Sequence, residues 1–241
     1  VGKLAALSVS EEVEVLTINN GEKSGFVMSR HPKGEMLDAI PEDQIQLSMV
    51  EGNGTAIVMK RPQYRLHKTL SVVKKNLIKI FPLVSEDFAI HIIRDGKEEI
   101  IARIDDSYAS QLCSIITLGD DFAYLADLVP NQFPNIRDSV VSVRPEYSEP
   151  ITMTNNNGEE KEYHLKITGW IGTYETTKGR KTDILDFPDN FISLYANKKM
   201  GEFNILPRVG QNKMNESYVV GQLHVDLFEL SELPDMALSN R

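Results

Sequence analysis

Phe191-Ile192-Ser193-Leu194-Tyr195-Ala196 and, after a polar interval, Tyr218-Val219-Val220-Gly221-Gln222-Leu223-His224-Val225-Asp226-Leu227-Phe228 are the runs whose reading decides the fold. The first alternates apolar and polar residues from Ile192 to Ala196, the period of a half-buried strand. The second alternates as well and puts Val219, Gly221, Leu223, Val225 and Leu227 on one face. The segment Glu232-Leu233-Pro234-Asp235-Met236-Ala237-Leu238 then leaves the sheet and ends on Ser239, Asn240 and Arg241.

That tip has two readings. One is a frayed terminus whose last charge carries no role. The other is an arginine presented to a phosphate, which its fixed fork of donors suits. The opposite end reads Val1-Gly2-Lys3-Leu4-Ala5-Ala6-Leu7-Ser8-Val9, with neither an initiator methionine nor a signal-peptide pattern. A glycine and a lysine before an apolar helical run can begin a helix whose free N–H groups face an anion. They can equally begin an ordinary solvated helix.

Between the ends, Leu4 to Ser10 is predicted as a short helix and Val13 to Ile18 as a strand. Asn19-Asn20-Gly21 is a turn and Gly25 to Ser29 the returning strand. Pro32 to Pro41 reads as a loop. Ile45 to Val50 and Thr55 to Lys60 read as a second hairpin across Gly52-Asn53-Gly54. Tyr64 to Phe81 is the clearest helix, with Leu66, Leu70, Val73, Leu77 and Ile80 on one face and Pro82 behind it. Its other face carries Arg65, Lys68, Lys74, Lys75 and Lys79, a solvated face or one that meets a phosphate backbone.

Phe88 to Ile93 is a strand, followed by a tight turn at Asp95-Gly96. Ser107 to Ile116 and Phe122 to Val129 are read as helices. Asp105-Asp106 and Asp120-Asp121 stand where acids favour a helix start. The loop from Pro130 to Pro134 is the expected domain boundary, giving domains 1–134 and 135–241. Beyond it the period becomes two: Val140 to Val143, then Ile151 to Thr154 and Tyr163 to Gly169 around Asn155-Asn156-Asn157-Gly158, a strong hairpin signal. Trp170 is expected to pack in the sheet, and Thr176 to Arg180 is a polar loop.

The 241 residues are 41% hydrophobic and 25% charged, a composition typical of globular chains, and suffice for two small domains. The net charge of −9 excludes a general basic footprint for nucleic acid. No apolar run is long enough for a membrane helix. The single cysteine, Cys113, rules out an internal disulfide and points to a reducing, cytoplasmic compartment. The five histidines have no ligand spacing, so no structural metal is expected. No nucleophile elbow or cysteine–histidine couple appears.

Three stretches together resemble one family. Val1-Gly2-Lys3-Leu4-Ala5-Ala6-Leu7-Ser8-Val9 is similar to the end of the second glycine box of the GHKL ATPases. That superfamily includes gyrase B, the ninety-kilodalton heat-shock chaperone, histidine kinases, MutL and the MORC proteins. Glu51-Gly52-Asn53-Gly54-Thr55-Ala56-Ile57-Val58-Met59 resembles its later Gly-Thr strand. Glu232 to Arg241 resembles the chaperone's middle-domain loop, which ends in an arginine that reaches the γ-phosphate. Bacterial MORC-like or chaperone-like ATPases are the nearest in kind.

The resemblance implies an α+β chain: the back half of a GHKL (Bergerat-type) α/β sandwich, then a ribosomal-protein-like α+β transducer domain. It implies that the N–H groups around Gly2, Lys3 and Leu4 hold phosphate oxygens. Thr55 would stand near the adenine through a water and a carboxylate; as a plain sequence feature it is a β-favouring residue after a turn glycine. Arg241 is the implied catalytic residue. The family's magnesium-holding asparagine and Asp-x-Gly-x-Gly adenine box precede the second glycine box, and this sequence starts after both. ATP with magnesium is therefore expected in a full-length parent, with no nucleotide bound to this chain alone. The expected partners are the missing N-terminal part of the nucleotide domain and a second copy in a homodimer, with the client, protein or DNA, left open. The rival from another class is a non-enzymatic module that binds a protein or nucleic acid through the lysine-rich helix or the 155–183 loops.

Overall fold

The computed structural model describes all residues except 1–4, 33, 35–36, 46–51, 64–68, 82–87, 102, 105, 181–187, 210–212 and 234–241. The chain divides into two compact units, residues 1–68 and 69–241, each an assembly of β-sheet with short helices. The α+β class read from the sequence is what the fold shows. No helix among the described residues is long and apolar enough to cross a membrane.

In the first unit α1 (Ala5–Val9) leads into β1 (Ser10–Asn19), β2 (Glu22–Ser29), β3 (Leu37–Ala39) and β4 (Gly54–Pro62). The four strands form one antiparallel sheet in the order β3-β2-β1-β4. The turn between β1 and β2 places Asn20 and Gly21 at positive φ, as the Asn-Asn-Gly sequence demands. One expectation changes here: β3 lies inside the stretch read as a loop. β4 pairs with β1, and the expected hairpin partner at 45–50 falls, from 46 on, outside the described residues. Val13, Val15, Phe26 and Met28 share one face, and Ala6 and Leu7 of α1 pack on it.

The second unit begins with α2 (Leu70–Ile80) and the hairpin of β5 (Ile90–Arg94) and β6 (Lys97–Ile101). The chain continues through α3 (Asp106–Ala109), β7 (Leu112–Leu118), α4 (Leu125–Leu128), β8 (Val140–Arg144), β9 (Tyr147–Thr154) and β10 (Glu160–Tyr174). After these come β11 (Phe191–Ala196), β12 (Lys199–Glu202), α5 (Leu206–Val209), α6 (Lys213–Glu216) and β13 (Val219–His224). Six strands run in the order β12-β11-β13-β10-β7-β8, and β9 pairs with the first half of the long β10. The strands 10–62 and 191–224 thus lie in separate sheets, as the sequence pattern predicts.

The division expected at residue 134 does not coincide with these units. β7, which precedes it, is hydrogen-bonded between β10 and β8, which follow it, so one sheet spans that point. β7 also corrects the helix read from Ser107 to Ile116: only Asp106–Ala109 is helical, and Cys113 sits buried in the strand. The main core gathers Ile115, Trp170, Phe191 and Val220 from the sheet against Ile78 of α2, Tyr108, Phe122 and Leu125. A second cluster of Tyr163, Val225, Leu227 and Leu233 packs with Leu165, Ile167 and Leu194.

Alternation along β10 explains the two clusters: Trp170 and Tyr174 face one way, and Tyr163, Leu165 and Ile167 the other. Val220 and Gln222, not the Val219–Leu223 set, are the most buried side chains of β13. Gly169 is held at φ 132°, where a β-carbon would lie 2.1 Å from the Gln222 carbonyl oxygen, so the backbones of β10 and β13 meet there only because glycine is present.

Candidate functional site

Thr55 is the one implied site residue among the described residues; Gly2, Lys3, Leu4 and Arg241 fall outside them. It is the second residue of β4, opposite Thr17 of β1, and the two hydroxyls lie 3.1 Å apart. The turn before it is tied to the neighbouring one: the Asn20 backbone N–H donates to Asn53 Oδ1 at 2.6 Å, and Asn53 Nδ2 donates to Asn20 Oδ1 at 3.3 Å. Gly52 carries φ 95°, which the turn needs. A hydroxyl donates one hydrogen bond and accepts two, so Thr55 keeps polar capacity beyond Thr17.

β4 is the edge strand of its sheet among the described residues. Thr55, Ile57 and Met59 project from the same face as Val15 and Val13, which stand directly opposite Ile57 and Met59. On β1 and β2 that face is covered by α1; on β4, among the described residues, Ile57 is left 61% and Met59 49% exposed. The apolar rows Met28–Val13–Met59 and Phe26–Val15–Ile57 therefore run from core to surface within one sheet. The strand ends on charge: Arg61 reaches Glu11 and Glu12, each at 2.7 Å, and Lys60 pairs with Glu14. The Glu11 hydrogen bond, then the Glu12 charge, raises the Arg61 pKa above its ordinary value.

α1, which follows the implied phosphate-binding residues, is fixed at its far end. Its last carbonyls are taken up by side chains: Ser10 Oγ donates to Ala6 O at 2.7 Å, and the Arg30 guanidinium donates to Leu7 O, with Nε at 3.0 Å. These bonds satisfy acceptors that a helix terminus leaves free.

The tail that leads to Arg241 is anchored as far as the structure describes it. Leu233 is buried in the second cluster of the second unit. Asn156 Nδ2 donates to the carbonyls of Ser231 and Leu233 at 3.0 and 3.1 Å, and Lys161 pairs with Glu232 at 2.8 Å. The Asn155-to-Gly158 turn, read in the sequence only as a hairpin, is thus also a seat for the tail.

The basic face of α2 changes its meaning. Lys79 is buried, with Nζ 2.8 Å from Asp189 Oδ1 and 3.2 Å from the Pro188 carbonyl oxygen. Lys75 reaches the same carboxylate oxygen at 2.9 Å, and Lys74 lies 3.7 Å from Glu99. Of the lysines read as one solvated face, these three are paired within the second unit, and Lys68 lies outside the described residues. Sequence gave no sign of this, because Asp189 stands 110 residues away.

No protein-family model and no curated protein sequence matches the chain. Among solved structures it is similar to the B subunit of the DNA gyrase from Myxococcus xanthus, with 10% identity and a TM-score of 0.40 over 91% of this chain and 58% of that one. It is also similar to the 43K ATPase domain of Thermus thermophilus gyrase B in complex with an aminocoumarin, with 15% identity and a TM-score of 0.38 over 94% and 56%. The chain spans a little over half the length of each.

Proposed function

We propose that this chain is part of a GHKL-type ATPase and couples nucleotide state to domain movement. The observation that carries the reading is the open apolar stripe of β4. A nine-residue edge strand with Ile57 and Met59 exposed on the core side of its sheet calls for a cover and a pairing strand. The sequence around it resembles the Gly-Thr strand of that family, whose missing neighbour is the segment with the adenine and magnesium boxes. In this reading the N-terminal part of the nucleotide domain sits on β4, and Thr55 lies at its margin.

The residues present fit that assignment. Thr55 retains hydrogen-bonding capacity on the same face as the stripe. Gly2, Lys3 and Leu4 would hold phosphate oxygens through backbone N–H groups, in front of an α1 whose far end is tied down by Arg30 and Ser10. Arg241 would meet the γ-phosphate from a tail rooted at Leu233. ATP with magnesium supplies the transferable phosphoryl group, and this chain supplies the phosphate seat and the sensing arginine. A closure governed by the γ-phosphate is a known kind of switch.

The pairing of Lys74, Lys75 and Lys79 with acidic partners speaks against α2 as the nucleic-acid face of the rival reading; Arg65 and Lys68 lie outside the described residues, and the 155–183 loops are its other candidate surface. Nucleotide titration tests the proposal. The full-length parent should bind a non-hydrolysable ATP analogue and turn ATP over, whereas the 241-residue chain should show no turnover above a no-enzyme control. A full-length parent with no affinity for nucleotide would refute the reading.

A further inference from the structure

Among the buried polar atoms of the second unit without a hydrogen-bond partner among the described residues, four lie in neighbouring positions of one sheet: Thr117 Oγ1, Trp170 Nε1, Gln222 Oε1 and His224 Nε2. Thr117 of β7 stands opposite Trp170 of β10, and Trp170 stands opposite Gln222 of β13. His224, two residues beyond Gln222, stands opposite Thr168. Directly paired residues, and residues two apart on a strand, share a face. The four side chains therefore rise from one face of three adjacent strands, in two neighbouring rows.

Three of them are almost wholly enclosed: Thr117 is 0%, Trp170 1% and Gln222 1% exposed. Native cores seldom leave such groups unmatched. Their chemistry is complementary, yet none of them bonds another directly. The indole N–H only donates, the amide oxygen only accepts, and the threonine hydroxyl does both. Gln222 cannot turn its amide to help, since Nε2 donates to the Ile78 carbonyl oxygen of α2 at 3.4 Å. A flipped amide would set two oxygens against each other.

Of the four, His224 also lines a pocket. The pocket, of about 340 Å³, is lined by His224 and Thr168, together with His164, Lys166, Asn197 and Asp226. Lys166 pairs with Glu146 at 2.8 Å, and Asp226 accepts the Asn197 backbone N–H at 2.7 Å. His224 forms its inner wall, with its ring stacked on Tyr195 and tilted against Phe122.

We propose that Thr117, Trp170, Gln222 and His224 form an internal hydration site, which holds resident water fed from the pocket at His224. Water is the one ligand that accepts from the indole, donates to the amide oxygen and bonds the hydroxyl in so enclosed a place. The imidazole contributes as a neutral group, since burial pushes its pKa down to about 4. The site holds the Gln222 amide in the orientation that bonds the end of α2, so it joins helix to sheet without a direct contact between all the partners.

The chain has one tryptophan, so its ¹⁵N-labelled form gives a single indole resonance. The experiment is water-to-indole magnetisation transfer on the 241-residue chain, read in the rotating frame, where a dipolar cross-peak from bound water differs in sign from chemical exchange. The expected result is a dipolar cross-peak in the unsubstituted chain, and its loss in Thr117→Val and in Gln222→Met. If either variant fails to fold, the unsubstituted chain decides by itself. An indole without a dipolar water cross-peak overturns the proposal, as does a cross-peak that survives both substitutions in folded protein.

Discussion

Lys79 Nζ lies 2.8 Å from Asp189 Oδ1, and the two side chains are only 2% and 5% exposed. The pair stands at the last turn of α2, where helix carbonyls lack internal partners. Tyr195 Oη shares its one O–H between two of them, Ile80 O at 3.0 Å and Lys79 O at 3.3 Å, and Gln222 Nε2 donates to Ile78 O. Three consecutive carbonyls of α2 are thereby bound by side chains of β11 and β13.

Loss of the Asp189 carboxylate should therefore be costly. Asp189→Ala leaves the buried Lys79 ammonium uncompensated, and the expected loss is about 3–5 kcal/mol. Lys79→Ala should cost less, because Lys75 still reaches Asp189 Oδ1. A double substitution, Lys79→Met with Asp189→Leu, should recover most of the loss. Urea denaturation of the four proteins checks the order; an Asp189→Ala variant as stable as its parent would show that the pair is not formed.

The burial along α2 also sets an order among its apolar residues. Ile78 is buried in the main core, while Leu70 and Leu77 are half-buried. Ile78→Ala should cost about 2–5 kcal/mol, and Leu70→Ala clearly less. Thermal melts that reverse this order would place the helix on the wrong face.

His224 gives the stability a dependence on pH. Burial lowers its pKa from 6.5 to about 4, against the opposing pull of Asp226 and Asp121. The unfolded chain takes up a proton at a higher pH than the folded one, so stability falls as pH drops from 6.5 towards 4 and levels off below that. The total contribution is on the order of 3 kcal/mol. Subtracting the pH profile of His224→Phe from that of the unsubstituted chain should isolate a decline confined to this window. Parallel profiles would mean that the imidazole titrates normally.

The β4 stripe gives the proposed cover a direct test. Ile57→Lys with Met59→Lys should change the stability of the 241-residue chain by no more than about 0.5 kcal/mol per site, because both side chains already face solvent. In the full-length parent the same substitutions would bury two charges beneath the proposed cover. They should abolish nucleotide binding or soluble expression there. Full activity of the doubly substituted parent would show that nothing covers β4.

Much of the local structure could be read from the sequence, and the reason is short-range chemistry. Asp95-Gly96 and the Asn155-to-Gly158 run specify their turns by positive φ, and α1, β1 and β2 follow from neighbouring residues. The failures share a different cause. Leu112-Cys113-Ser114-Ile115-Ile116 carries apolar residues on both faces, with Ile115 buried and Ile116 39% exposed, so its sequence lacks the apolar–polar alternation that marks a half-buried strand and admits a helical reading. The parallel pairing of β11 with β13, and of β7 with β8, depends on segments distant in the chain, and with it went the true course of the sheet past residue 134. Lys79 looked like a solvent residue because its partner is remote. For the site, the Gly-Thr stretch could be read from its residues, but the exposure of Ile57 and Met59 beside the packed rows of β1 and β2 depends on where α1 packs.

The most direct measurement compares the full-length parent with its Arg241→Ala variant, using phosphate release for rate and a non-hydrolysable ATP analogue for binding. A contact to the γ-phosphate strengthens as charge develops in the transition state, so it acts on rate more than on ground-state affinity. The account expects turnover to fall by roughly 10²-fold or more, the scale of losing one charge-stabilising donor. Binding should stay nearly unchanged, and Arg241→Lys should restore activity only in part, because lysine keeps the charge and loses the fork. Turnover of Arg241→Ala at the parent's rate would contradict the account and return the tail to an ordinary terminus.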